Sequence, residues 1–131
     1  MSLDKSLTYE HQPDATLSQA NPVQNQFYTV LDSKKRCRVY VVTVLVWTTG
    51  ETLEVRITVD GQVLTGTVNA SATTYYYVHH QLYGSALIVD GNILLLGHYS
   101  FLEGREVKVE VRKTTAAGTG TLEARVVYAK R

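Results

Sequence analysis

From Gln26 onward, apolar and polar residues alternate along most of the chain with a period of two. Leu53, Val55, Ile57 and Val59 are interleaved with Glu54, Arg56 and Thr58. Val107, Val109 and Val111 are interleaved in the same way with Glu106, Lys108, Glu110 and Arg112. Side chains leave a strand on opposite faces in turn, so this pattern predicts strands with one face buried. Gln26 to Leu31, Cys37 to Trp47, Thr52 to Asp60, Gln62 to Ala70 and Thr74 to Leu82 read as strands. Ala86 to Val89, Ile93 to Tyr99, Arg105 to Lys113 and Thr121 to Ala129 follow. Asp60-Gly61 and Asp90-Gly91 supply two-residue hairpin turns, because both residue types accept a positive φ. Glu103-Gly104 and the small-residue run Thr114 to Gly120 mark further breaks. Short strands separated by turns about every ten residues predict an all-β fold, an antiparallel β-sandwich and within that class a jelly roll of about eight strands. The echo of VDGQVL (59–64) in VDGNIL (89–94) is accounted for by two hairpins using the same turn chemistry.

Two segments depart from the pattern. Cys37 to Trp47 is apolar on both faces when alternation is strict, with Val39, Val41, Leu45 and Trp47 on one and Tyr40, Val42, Val44 and Val46 on the other. A sandwich strand meets the core on one face only, so the second face asks for a cover. Residues 1–25 are polar, hold both prolines (Pro13 and Pro22) and sustain no period. They read as an extended N-terminal arm preceding a β-sandwich domain at 26–131. Such an arm needs a surface to lie on. Its own body and a neighbouring copy are the candidates, and the two-faced strand favours the neighbour. The expected oligomer interface is therefore Tyr9, Pro13, Leu17, Pro22, Tyr40, Val42, Val44 and Trp47.

Composition narrows the function classes. With 131 residues there is room for one core. At 44% apolar and 19% charged residues the chain is too apolar for disorder. A net charge of +1 argues against a general nucleic-acid binder. The basic run Lys34, Lys35, Arg36 could touch packaged nucleic acid, although a solvated turn explains it as well. No apolar run approaches the ~20 residues of a membrane span, and the polar start shows no signal peptide. A lone cysteine, Cys37, excludes an internal disulfide and a cysteine-built zinc site.

No catalytic pattern emerges, and no cofactor is expected. The chain lacks a nucleophile elbow, a P-loop, a dinucleotide fingerprint and a zinc-protease helix motif. His79 and His80 are adjacent on a strand and point to opposite faces. His79 with His98 offers two metal ligands and no third. Glu106 and Glu110 share an outward face with Lys108 and Arg112, which is a mixed-charge solvent face rather than a glycosidase pair. Arg36 and Arg38 could activate the Cys37 thiol, but its place at the head of an apolar strand suits a buried, inert group. Trp47, Tyr75, Tyr76 and Tyr77 could stack on sugar rings, which keeps open a carbohydrate- or receptor-binding module.

The stretches NPVQNQFYTVLDSKKRCRVYVVTVLV, TLEVRITVDGQVLTG and GTGTLEARVVYAKR resemble small virion proteins of phages and archaeal viruses. The likeness spans residues 21–131 and lies in the polar arm, the Tyr-Thr-Val-Leu-Asp opening strand, the Val-Asp-Gly hairpin and the closing strand. It implies a virion structural protein, a self-assembling capsid, decoration or tail/spike subunit. Its partners would be copies of itself and other virion proteins. The resemblance carries no functional residue.

Overall fold

The computed structural model describes residues 8–46, 51–70, 76–80, 87–90, 101–115 and 120–131. These form strands β1 (Glu10–His11), β2 (Ala15–Gln19), β3 (Tyr28–Ser33), β4 (Cys37–Val46), β5 (Glu51–Val59) and β6 (Gln62–Ala70). They continue with β7 (Tyr76–His80), β8 (Leu87–Asp90), β9 (Leu102–Gly104), β10 (Val107–Lys113) and β11 (Leu122–Lys130). The larger sheet has the order β1-β11-β4-β7-β8, with β2 also on β11 and β9 also on β4. The smaller sheet has the order β3-β10-β5-β6. All pairings are antiparallel. The protein is an all-β sandwich.

The β5–β6 hairpin forms as its sequence predicts. Val59 faces Gln62 across the closing pair, and Asp60 (φ 49°) and Gly61 (φ 85°) take the two left-handed positions that a type I′ turn requires. Leu53, Val55 and Ile57 on β5 point inward and are essentially unexposed, as are Val107, Val109 and Val111 on β10. From the larger sheet they meet Cys37, Val39, Val42, Val44, Leu122 and Val126. Burial of each such aliphatic side chain stabilises the fold by about 1.5–3 kcal/mol before entropy is subtracted.

The strand that reads as apolar on both faces owes that reading to a β-bulge. Val127 lies opposite Val41 and Tyr128 opposite Val39, so Tyr40 is an extra residue without a partner on β11. The bulge turns the phase of the strand. Cys37 and Val39 point into the core before it, and Val42 and Val44 do so after it. The second apolar face expected from strict alternation does not exist between residues 37 and 44. Tyr40, Val41 and Thr43 face outward and are half-buried. A similar slip on β3 leaves Val30 without a partner on β10, between Leu31 opposite Val109 and Thr29 opposite Glu110.

The expected arm folds onto its own chain. Glu10 and His11 pair with Lys130 and Ala129, and Ala15 to Gln19 pair with Val126 to Leu122. The five residues of β2 alternate after all, with Ala15, Leu17 and Gln19 half-buried and Thr16 and Ser18 exposed. That alternation is too short to stand out in a polar stretch. Ala15 and Leu17 pack against the common core. Asn21 (φ 49°) and Asn25 (φ 64°) turn the chain on its way to the other sheet, in the left-handed region asparagine tolerates.

Glu103-Gly104, read from sequence as a turn, belongs to strand β9 beside the start of β4. Gly104 is needed for space. A Cβ there would lie 2.6 Å from Val59 Cγ1 and 3.0 Å from Asp60 Oδ2, so the backbone of one sheet touches the end of the other. The predicted strand at 93–99 lies outside the described residues.

Candidate functional site

The outer face of the larger sheet carries a cluster built from three remote segments. Arg38, next to the head of β4, points outward between the buried Cys37 and Val39. Its register partner on β9 is Glu103, and its Nε donates to Glu103 Oε1 at 3.1 Å. The phenol of Tyr9 donates to the same carboxylate oxygen. The guanidinium lies 4.0 Å from the centre of the Tyr9 ring and 4.6 Å from that of Phe101. Tyr40 meets Phe101 edge to face at 6.0 Å between centres, at an interplanar angle of 62°. A cation between aromatic rings with a carboxylate beside it is a self-satisfied arrangement. It ties the segment leading into β1 to the sheet.

Electrostatics follow from that geometry. The Tyr9 hydrogen bond holds the Glu103 carboxyl below its usual range against the opposing effect of burial, and Arg38 reinforces the shift. Burial and the same hydrogen bond raise the Tyr9 phenol. Burial works against the charge on Arg38, but the hydrogen bonds to Glu103 and Tyr40 and the nearby Glu103 and Tyr9 charges together outweigh it and raise the guanidinium pKa.

On the smaller sheet, the outward residues of β5 and β10 form a charge ladder in register. Glu110 faces Arg56 and Arg112 faces Glu54. Arg56 Nε and Nη2 approach Glu110 Oε1 at 3.2 and 3.0 Å, while Lys108 Nζ lies 3.6 Å from Glu110 Oε2. Arg112 Nη2 reaches Glu54 Oε2 at 2.9 Å. Phe27 packs beneath both guanidinium groups, at 3.8 Å from Arg56 and 4.5 Å from Arg112. Glu106 sits apart from Glu110, in the turn before β10, where its amide donates to Asp60 Oδ1 at 2.9 Å.

Comparison of the chain with known protein families, characterised proteins and solved structures finds no match.

The residues expected to form an oligomer interface do not form one surface. Val42 and Val44 belong to the internal core at 1% and 0% exposure, because the bulge turns them inward, and they have no face to offer a neighbour. Pro22 is buried and Leu17 half-buried against the chain's own core, while Pro13 is exposed between β1 and β2. Tyr9 and Tyr40 join the Arg38 cluster. Trp47 and Tyr75 lie outside the described residues, as does His98. Tyr76, Tyr77 and His79 lie on β7, with Tyr77 opposite Thr43 of β4.

Cys37 is fully buried, and burial raises its thiol pKa, so the arginines on either side do not make it a nucleophile. Lys34 pairs with Asp32 at 3.4 Å in the turn between β3 and β4. Among the described residues no three His, Cys, Asp or Glu side chains converge as metal ligands. Sequence reasoning missed Arg38, Glu103 and Phe101 as a group. Only the pairing of β9 with β4 joins them, and β9 is three residues long.

Proposed function

We propose that this chain is a non-enzymatic virion structural protein of jelly-roll type, assembling with copies of itself as a capsid, decoration or tail/spike subunit. The observation that carries the reading is the strand order. A jelly roll is one long antiparallel hairpin wrapped into two four-stranded sheets. Wrapping pairs the first strand with the eighth, the second with the seventh, the third with the sixth and the fourth with the fifth. Here β2 pairs with β11, β3 with β10, β4 with β7 and β5 with β6. The remaining contacts of the wrap, β11 with β4 and β10 with β5, are present too. The order β2-β11-β4-β7 over β3-β10-β5-β6 agrees with such a wrap and supports the jelly-roll reading, in which β1, β8 and β9 are additions. Viral capsid proteins use this architecture, as do lectin domains and cupins.

The mode of assembly rests on the segment before residue 20. Its described part pairs with β11 at the edge of the larger sheet, packs Ala15 and Leu17 on the core and is tied down by the Tyr9 cluster, and two asparagines with positive φ, Asn21 and Asn25, follow it. An edge strand on such a connection can pair in the same way with β11 of a neighbouring copy, exchanging arms without any new contact type. Light scattering after size exclusion tests the reading. The expected result is a closed oligomer that is lost when residues 1–22 are deleted. A full-length chain that stays at 14.6 kDa at all concentrations overturns self-assembly.

A further inference from the structure

Cations from three remote parts of the chain meet at one end of the sandwich. The turn at 34–36 leads into β4, and Lys130 stands opposite Cys37 in the neighbouring strand. The Arg131 amide donates to the Arg36 carbonyl at 3.1 Å. Val107 pairs with both Ser33 and Val59, which brings Arg105 to the same end, where it lines a shallow cavity with Lys34, Asp60 and Glu106. Lys35, Arg105 and Arg131 are exposed, and Arg36 and Lys130 are half-buried. None of the five makes an ion pair among the described residues.

The acids nearby are largely engaged. Asp32 holds Lys34, Asp60 accepts from the Glu106 amide, and Glu103 is taken by Arg38 and Tyr9. Glu10, Glu106 and Asp60, whose bond to a backbone amide leaves its charge in place, remain against five unpaired cations. Beside this end, on the outer face of the larger sheet, the Phe101 ring is 38% exposed and held in place by Arg38 and Tyr40.

We propose that this basic end and the adjoining Phe101 ring form a binding surface for single-stranded nucleic acid. Phosphates would lie on Lys35, Arg36, Arg105 and Arg131, and a base would stack on Phe101. A polymer with regularly spaced phosphates and flat bases engages both halves of the surface. An anionic bilayer would use the cations and leave a fixed ring on a sheet face without a role. The inference does not depend on the virion reading, since it concerns the surface of one copy.

Fluorescence anisotropy of the full chain with a labelled oligothymidylate of about 20 nucleotides tests it across a salt series. The expected result is binding at low salt that weakens linearly with the logarithm of salt concentration. Replacing Lys35, Arg105 and Arg131 together by Ala lowers affinity about tenfold or more and reduces the salt slope by about 2, from three lost phosphate contacts. Phe101→Leu keeps the apolar bulk without the aromatic face, and it weakens binding about tenfold with the slope unchanged. Arg125→Ala, on an exposed cation of β11 outside this end, leaves both unchanged. Absence of binding at low salt overturns the proposal. So does equal weakening by Arg125→Ala, or a triple variant that binds like the parent. Tighter binding to phosphatidylserine vesicles than to the oligonucleotide, through the same cations, reassigns the surface to lipid and overturns it as well.

Discussion

The outer face of the smaller sheet and the loop end of the sandwich are both rich in charge, and they treat it in opposite ways. On the sheet, Glu54, Arg56, Glu110 and Arg112 are set opposite one another by strand register, and Phe27 supports both guanidinium groups. At the loop end, Lys35 and Arg36 come from one turn, Arg105 from another and Arg131 from beyond the last strand, and none makes an ion pair among the described residues. Charges placed by a ladder are neutralised within the fold. Charges placed by turns remain available to something outside it. The first arrangement contributes to stability, and the second contributes almost nothing to it.

The sharpest way to break the contrast is Glu110→Ala. Glu110 is only 6% exposed and serves both Arg56 and Lys108, so its loss leaves two cations facing each other over a gap. A destabilisation of about 2 kcal/mol is expected in urea unfolding. Lys35→Ala, by comparison, should stay within about 0.5 kcal/mol of the parent. Equal effects of the two would erase the distinction between the regions.

A somewhat smaller loss, about 1–2 kcal/mol, is expected from Gly104→Ala. Its new methyl group would press on the Val59 side chain and the Asp60 carboxylate, where β9 touches the end of β5. The midpoint of thermal unfolding reads it out. An unchanged midpoint would mean that the two sheets are not in contact at this point.

A smaller loss again is expected at Glu103. Its carboxyl pKa is lowered in the folded chain, so the stabilisation it provides is complete above its unfolded value, about 4.3. That stabilisation is lost as the pH falls through the folded value. Glu103→Gln should therefore cost about 0.5 kcal/mol near neutral pH and nothing once the carboxyl is protonated. Unfolding curves at neutral and acidic pH check this. A cost that persists in acid would show that shape, rather than charge, matters at this position.

How much of this was legible in the sequence depended on how local each feature is. The Asp60-Gly61 hairpin and the alternation of Val107, Val109 and Val111 rest on neighbouring residues, and both could be read directly. The bulge at Tyr40 is set by pairing with β11 some ninety residues away, so strict alternation assigned Val42 and Val44 to a surface they do not reach. Strand β2 hides in a polar stretch because its alternating set includes Gln19 as well as Ala15 and Leu17. The Arg38 cluster joins residues 94 and 65 positions apart and left no pattern at all. The basic end was visible only as Lys34 to Arg36, because Arg105 and Arg131 reach it through the fold.

The position of β11 between β2 and β4 also governs the order in which the chain can become a protein. During synthesis, β2 leaves the ribosome more than a hundred residues before its partner, whereas β5 and β6 can close on each other at once. The smaller sheet gains its β5–β6 core early, and the larger one waits for the last described strand before its first can dock. Contacts of such span are slow to form, because a long loop must close before any pairing rewards it. Until then residues 15–19 stay a loose end beside an unfinished sheet, and in a crowded cell the first β11 they meet need not be their own.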